Sequence, residues 1–204
     1  MSIILVRHGE TALNAARVIQ PADTPLSPRG LGQAEALARR LAGLSPAAIL
    51  SSDLPRAAQT AQAVAHATGL RVDTTPLLHE RNFGALRGQA YDSLGYDPIH
   101  DEKAPPEGES MAQFRERVAA AFARMLALRA ALAGPLVVVS HGLVIRVLLE
   151  RHLRLPEGSE PPQRLANTSV TIFAPEAPWL ASLVNCAAHL EGDLSDDHRA
   201  IAGV

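Results

Sequence analysis

Two stretches of this 204-residue chain are wholly apolar and rich in β-branched side chains: residues 3–6, Ile-Ile-Leu-Val, and residues 136–139, Leu-Val-Val-Val. Such runs, with no polar alternation, suit strands buried on both faces of a parallel sheet. Both break off abruptly. The first continues as Arg7-His8-Gly9-Glu10-Thr11 and the second as Ser140-His141-Gly142. In open α/β sheets ligands bind beyond the C-terminal ends of the strands. Gly9 lets the chain turn sharply and lets a ligand come close to the backbone. A strand end that delivers a guanidinium and an imidazole to one point suggests an anion site that contains a nucleophile. One such strand end can be incidental; two His-Gly ends in one chain are more specific.

Between and beyond these runs, short apolar segments alternate with helical periodicity. Ser27 and Pro28 suit the N-cap and first position of a helix. Leu31, Ala34, Leu37, Ala38 and Leu41 recur through it at helical spacing, and Gly43 is a stop. Residues 47–51 read as a strand, 53–68 as a helix started near Pro55 and ended at Gly69, and 71–75 as a third short strand. Residues 76–109 are irregular and rich in glycine, proline and charge; a loop region of that length is commonly functional or disordered. Ser110 and Gln113 form a capping box for a long helix to about Ala133, with Phe114, Val118, Phe122, Met125 and Leu132 on its buried face. A further helix begins after His141 and turns Leu143, Val147 and Leu148 inward. Residues 155–164 are a loop, strands follow near 170–173 and 180–184, and the tail from Glu191 is polar. No internal repeat and no linker divides the chain. The alternation predicts one α/β domain over residues 1–204, a three-layer α/β/α sandwich with a mostly parallel central sheet. If the strands at 3–6 and 136–139 are neighbours, His8 and His141 meet at one edge.

Composition narrows the function. A formal net charge of −2 gives no global attraction to nucleic acid or to an anionic membrane. Aromatic residues are 3% of the chain, too few for base-stacking platforms. No apolar run approaches membrane-spanning length, and the chain reaches strand pattern at once, without the basic region of a secretion signal. Cys186 is the only cysteine, so no internal disulfide forms. The expectation is a cytoplasmic protein with a small-molecule partner, and a homodimer is compatible with it. Lys103 is the only lysine. Arginine, the better bidentate partner for phosphate or carboxylate, carries the remaining positive charge, although a compositional bias of the genome accounts for that equally well.

The segment Ser51-Ser52-Asp53-Leu54-Pro55-Arg56 adds a third element. Arg56 falls in the first turn of a helix that follows a strand, at the same edge of the sheet as the two histidines. A cation at a helix N-terminus opposes the macrodipole, so an anionic partner helps to explain it. With these stretches together, the chain resembles the histidine phosphatase superfamily, which includes cofactor-dependent phosphoglycerate mutase. The resemblance rests on Arg7-His8-Gly9-Glu10-Thr11 with Asn14, Leu26-Ser27 with Gly30, residues 51–61, Glu80-Arg81 with Phe83-Gly84, residues 106–110, Ser140-His141-Gly142 and Asn167-Thr168-Ser169. They occur in the family's order, and Asn185 and His189-Leu190 extend the match.

The resemblance implies a phosphohistidine mechanism. His8 matches the family's catalytic histidine and would attack phosphorus with a neutral ring nitrogen, its other nitrogen protonated and held by an acceptor. Arg7 and Arg56 would grip the equatorial oxygens in fork geometry. His141, as imidazolium, would donate to the same group, and Asn14 would add another hydrogen bond. Backbone N–H groups of Gly142 and Leu143, at a helix N-terminus, would add theirs. Glu80 matches the family's general acid, which works near neutral pH only if burial or negative neighbours raise its pKa. On residue type alone, Glu80 is an exposed loop glutamate. Glu10, Asp53 and His189 read as orienting or structural groups. No cofactor is implied. No metal is expected either: no His-x-x-x-His or His-x-Asp pattern accompanies His8 and His141, and His66, His79, His100, His152 and His198 read as surface or helix residues.

Phosphatase and mutase share these residues and differ in the fate of the phosphohistidine. A hydrolase admits water, whereas a mutase retains an intermediate in a closed, basic pocket built by a long insertion after the acid. Here the interval from Glu80 to His141 is short for a mutase. Residues 80–86 echo the mutases, but the Lys-Tyr-Gly segment and paired arginines of that branch are missing past Gly88. A shorter substrate-facing insertion spans about 84–110. Arg81, Arg87, His100 and Lys103 are the remaining basic candidates for substrate contact, each equally readable as solvated loop charge. Gln20-Pro21-Ala22-Asp23 departs from the family's glycine-bearing loop and alters a substrate-facing wall. The expected activity is that of a metal-independent, acid-type histidine phosphatase, a phosphoric monoester hydrolase acting on a small phosphorylated metabolite. A cofactor-dependent phosphoglycerate mutase is the alternative. A catalytically inactive phospho-ligand-binding protein is a third class, opposed by the presence of all five central residues.

Overall fold

The computed structural model describes residues 2–195; the rest of the expected polar tail, with His198, lies outside the described residues. The chain runs β1 (Ile3–Arg7), α1 (Ala12–Ala15), α2 (Pro28–Ala42), β2 (Ala48–Ser51), α3 (Pro55–Thr68), β3 (Val72–Thr74), α4 (Met111–Ala130), β4 (Leu136–Ser140), α5 (Gly142–Arg151), β5 (Val170–Phe173) and β6 (Ala181–Cys186). The sheet order is β3-β2-β4-β1-β5-β6. β1 and β4 are parallel neighbours, with Ile3 opposite Leu136 and Arg7 opposite Ser140. β2 and β3 extend the parallel set, whereas β5 runs antiparallel to β1 and β6 antiparallel to β5. The two apolar runs therefore hold the centre of a mostly parallel sheet.

Alternation along these strands assigns their faces. Ile3, Leu5, Leu136 and Val138 join Phe114, Val118, Phe122 and Met125 of α4 and Leu143, Val147 and Leu148 of α5 in one cluster. Ile4, Val6, Val137 and Val139 join Leu37 and Leu41 of α2 and Ala57, Ala61 and Val64 of α3 in the other. Each fully buried aliphatic side chain contributes roughly 1.5–3 kcal/mol relative to exposure. Helices on both faces complete the three layers.

The caps follow the sequence. Ser27 accepts the Gly30 N–H at the start of α2, and Ser110 and Gln113 close their capping box on α4. Gly69 ends α3 in the left-handed conformation. Some expectations are corrected. α4 stops at Ala130, because Ala131 and Leu132 turn back to the carbonyls of Leu128 and Arg129 and the buried Arg129 guanidinium donates to Leu132 O at 2.7 Å. Leu31 is 47% exposed, off the buried stripe of α2. The last strand begins at Ala181, since Leu180 bridges to Arg154 instead. α1, at four residues, is too short for periodicity to register. Residues 76–109 contain 3-10 turns at Pro76–Leu78, Gly84–Leu86 and Tyr91–Ser93 joined by irregular chain. Among the described residues no helix is long and apolar enough to cross a membrane.

Candidate active site

Parallel pairing of β1 with β4 sets their C-terminal ends together. The rings of His8 and His141 are fully buried there, with centroids 5.1 Å apart. The main chain of His8 is held on both sides. Its N–H donates to Ser140 O at 3.0 Å, and its carbonyl accepts from Thr168 N–H at 3.2 Å and Asn167 Nδ2 at 3.1 Å. Asn167-Thr168-Ser169, matched to the family without an assigned role, thus frames this backbone.

His8 Nδ1 lies 2.7 Å from Gly9 O. A carbonyl only accepts, so Nδ1 carries the proton and Nε2 the lone pair. Nε2 is buried with no hydrogen-bond partner among the described residues. Burial, with the charges of Arg56 and Arg7, holds the pKa well below the ordinary imidazole range, against a smaller opposing effect of the Gly9 carbonyl. The ring is neutral.

Gly9 crosses the first turn of α2 too closely for any side chain. A Cβ there would lie 2.6 Å from Gly30 O, and one on Gly30 would lie 2.0 Å from Glu10 O. The Gly9 N–H donates to Thr60 Oγ1 at 3.0 Å, and that hydroxyl donates to Arg56 O at 2.8 Å. The strand of His8 and the helix of Arg56 are tied by this one residue. Glu10 accepts from Ser27 Oγ at 2.9 Å and pairs with Arg29, which ties it to the start of α2.

Arg7 is fully buried at the end of β1, and its Nη1 donates to Leu165 O. Arg56 is buried on the first turn of α3; its Nε has no hydrogen-bond partner among the described residues. Burial lowers its pKa to about 10, which leaves it charged at neutral pH. Asn14 is buried on α1. Thr11, which caps α1, donates to Gln20 Oε1 at 2.8 Å, while Gln20 Nε2 is buried with no hydrogen-bond partner among the described residues. Gln20 is next to Pro21, whose carbonyl meets Arg56 Nη1 at 3.4 Å. Gln20 belongs to the segment that departs from the family's loop, and no local sequence signal marks its amide.

His141 is held the other way round. Its Nε2 is 2.9 Å from Ser52 Oγ, and its Nδ1 is buried with no hydrogen-bond partner among the described residues. Ser52 Oγ also accepts the Leu54 N–H at 3.3 Å. Burial first, then Arg56, pushes the His141 pKa well below its ordinary value. The imidazolium expected from the sequence is therefore disfavoured by its surroundings. In the sequence Ser52 is marked only by its place in the Arg56 segment.

Glu80 is 5% exposed rather than a solvated loop residue. Oε1 accepts the Arg81 N–H at 2.9 Å, and Oε2 accepts the Leu143 N–H at 3.1 Å. The Leu143 N–H, expected to face phosphate, is thus engaged by Glu80, while Gly142 opens α5 beside it. Burial raises the Glu80 pKa, against the opposing N–H donors and the charges of Arg56 and Arg7.

The other basic candidates separate. Arg81 is neither solvated nor a substrate ligand: it is buried and donates to the carbonyls of Glu109 (3.0 Å), Pro98 (3.0 Å) and Lys103 (2.8 Å). It staples residues 98–109 together. His100 pairs with Asp97 at 2.5 Å, and Lys103 lines a different cavity beside Tyr96 and Asp101. Arg87 stays exposed in a cavity that it shares with Glu80. His79 Nε2 sits 2.5 Å from Asp53 Oδ1. His189 bridges Arg40 and Thr168 at 3.1 and 3.0 Å, a structural position. Among the described residues no group of three or more His, Cys, Asp or Glu side chains is placed to hold a metal ion.

A neutral imidazole lone pair, two guanidiniums, a second imidazole and a buried carboxyl with a raised pKa converge on one strand edge. Fixed charge and donors of this kind stabilise a phosphoryl group in transfer. A family model described as the histidine phosphatase superfamily (branch 1) matches residues 3–181. A relative described as probable phosphoglycerate mutase GpmB, from Yersinia pestis, is 41% identical over 193 residues, 89% of each chain. A mycobacterial glucosyl-3-phosphoglycerate phosphatase solved with inorganic phosphate is similar at TM-score 0.76 and 29% identity, over 93% of this chain and 99% of that one. A mutant phosphoserine phosphatase from Entamoeba histolytica, solved with phosphoserine, is similar at TM-score 0.75 and 28% identity, again over 93% and 99%.

Proposed function

The chain belongs to the histidine phosphatase superfamily, and from that premise we propose that it hydrolyses a small phosphomonoester through a phosphohistidine on His8. The observation that carries this reading is the 2.7 Å contact of His8 Nδ1 with Gly9 O, which leaves the lone pair of buried Nε2 as the nucleophile. In the first step Nε2 attacks phosphorus, the P–O ester bond breaks, and Glu80 gives its proton to the leaving alkoxide. In the second step water attacks phosphorus, Glu80 takes a proton from it, the P–N bond breaks, and neutral His8 returns with release of phosphate. Arg7 and Arg56 neutralise the phosphoryl dianion. If Ser52 donates its hydroxyl proton to His141 Nε2, Nδ1–H is left as a donor toward the phosphoryl oxygens, without need of an imidazolium. Asn14, Gln20 and the Gly142 N–H complete the donor set. The reaction needs no metal, and a small, cytoplasmic, phosphorylated metabolite is the substrate class.

The mutase reading is favoured by one observation, the 41% identity to a protein described as a probable phosphoglycerate mutase. The short interval from Glu80 to His141 favours hydrolysis. The test is turnover of p-nitrophenyl phosphate in the presence of a chelator. Phosphate release that disappears in His8→Ala supports the reading; release that survives His8→Ala overturns it. Interconversion of phosphoglycerates that depends on 2,3-bisphosphoglycerate, without net phosphate release, selects the mutase.

A further inference from the structure

A guanidinium grips phosphoryl oxygens through parallel N–H bonds, so its aim matters as much as its charge. Arg7 is aimed by the main chain: its Nη1 donates to the carbonyl of Leu165. Leu165 is buried within residues 161–169, which form neither helix nor strand. Irregular chain shifts easily unless other groups pin it. The same segment also meets the end of β1. Ser169 O accepts the Arg7 N–H at 3.2 Å, and the Thr168 N–H and Asn167 Nδ2 donate to His8 O. Whatever holds this segment therefore holds Arg7 and His8 together.

Asn185 holds it at Leu165. Asn185 Nδ2 donates to Arg164 O at 2.8 Å, and its Oδ1 accepts the Ala166 N–H at 2.8 Å. One side-chain amide thus closes on the main chain on both sides of the carbonyl that Arg7 meets. The backbone is shaped to deliver this amide. β6 pairs Cys186 with Val170 and Leu183 with Ile172, so it carries one more residue than β5 between those pairs. A bulge of this kind re-aims a side chain. Asn185 sits in it at φ +52°, in the left-handed region that asparagine tolerates better than most residues with a side chain. Its own N–H donates to Thr171 Oγ1 at 3.1 Å, which fixes the bulge against β5.

On the basis of the phosphatase reading, in which Arg7 grips the phosphoryl group, we infer that Asn185 is a positioning residue for that grip. It sets the place of Arg7 through Leu165 and acts without contact to substrate. Loss of the amide takes a partner from Arg164 O and from the Ala166 N–H. Leu165 O then shifts, and the Arg7 fork leaves its line to the phosphoryl oxygens. A misplacement of about 1 Å in such a group costs up to about 10²-fold in rate. Asn185 thus belongs to the reaction although it lies on the far side of the irregular segment from the phosphoryl site.

The test is a double-mutant cycle between Asn185 and Arg7, read by turnover of p-nitrophenyl phosphate, inhibition by orthovanadate and thermal unfolding. Asn185→Gly keeps the left-handed backbone and removes the amide. Asn185→Asp is isosteric and keeps the acceptor for the Ala166 N–H. With Arg7 intact, Asn185→Gly lowers kcat/KM and vanadate affinity by about ten-fold, and Asn185→Asp lowers both by about three-fold. In an Arg7→Gln background, Asn185→Gly costs less than about two-fold further, because the group it positions is gone. Where Asn185→Gly does not fold, Asn185→Asp carries the same cycle. Equal fractional losses in the two backgrounds, or unchanged vanadate affinity with Arg7 intact, whatever the change in Tm, overturn the inference and leave the phosphatase reading standing. A wild-type protein that neither turns over p-nitrophenyl phosphate nor binds vanadate overturns both.

Discussion

The two His-Gly strand ends look alike in sequence and are wired oppositely in the structure. His8 has Nδ1 against a backbone carbonyl, and His141 has Nε2 against a serine hydroxyl. A carbonyl admits one proton arrangement, so His8 must offer a lone pair at Nε2. A hydroxyl can donate or accept, so His141 can present Nδ1–H while neutral. Both rings are buried beside Arg56, and both have their pKa pushed down. The difference therefore lies in the hydrogen-bond partner, not in burial or field. In the proposed reaction one ring attacks phosphorus and the other holds it.

Breaking the comparison at the nucleophile has the largest effect. His8→Ala lowers kcat toward an aryl phosphate by at least about 10⁴-fold, since removal of a nucleophile disables the whole unit. His141→Ala costs about 10²–10³-fold, the range for loss of one transition-state donor, and still forms a phosphoenzyme in rapid-quench experiments. Equal losses in both variants, with no phosphoenzyme in either, would erase the asymmetry.

Glu80→Gln separates protonation from attack. With an alkyl phosphate the loss is about 10²-fold or more; with p-nitrophenyl phosphate, whose leaving group needs less help, it is smaller. The pH profile gives the sign. Burial raises the Glu80 pKa, so its proton survives above the usual carboxyl range and activity falls as pH rises through that raised value. Glu80→Gln loses this alkaline limb. His8, with its pKa pushed down, stays neutral into mildly acidic solution, so the acid limb lies below the ordinary imidazole range.

Ser52→Ala sharpens the comparison. It removes the hydroxyl against His141 Nε2 and lowers kcat by about ten-fold, and Ser52→Thr restores most of it. Nitrogen NMR of His141 reports the tautomer directly; an unchanged tautomer in Ser52→Ala would leave Ser52 with a packing role only. The smallest effect on chemistry comes from Arg81→Gln. It removes donors to the loop carbonyls of Glu109, Pro98, Ile99 and Lys103, costs about 2–3 kcal/mol of stability, and raises KM more than it lowers kcat. Thermal unfolding and steady-state kinetics measure the two parts.

The difference between the strand ends also marks how far the sequence could be read. Burial of Ile3, Ile4, Val137 and Val139 follows from composition alone, because a run without polar residues has no solvent face. The caps at Ser27 and Ser110 are local and were legible for that reason. His8, Arg7, Arg56 and His141 were legible because each sits at a strand end or helix start, positions that topology brings to one edge. The partners of these residues were not. Ser52 reaches His141 across 89 positions of sequence, and Glu80 reaches the Leu143 N–H across 63. Arg81 read as a loop charge because its carbonyl partners lie at 98–109, in chain with no periodicity. The charge of His141 is illegible for a related reason: residue type suggests a cation, while burial beside Arg56 opposes one.

The most direct test of the account is the site of phosphorylation. The wild-type protein is mixed with a radiolabelled phosphomonoester, quenched in alkali within the first turnover, and mapped by peptide. The account predicts one phosphoryl group on His8, attached at Nε2, stable to base, labile to acid, and absent in His8→Ala. Label on His141, on a carboxylate or on a serine, or label that persists in His8→Ala, would contradict it.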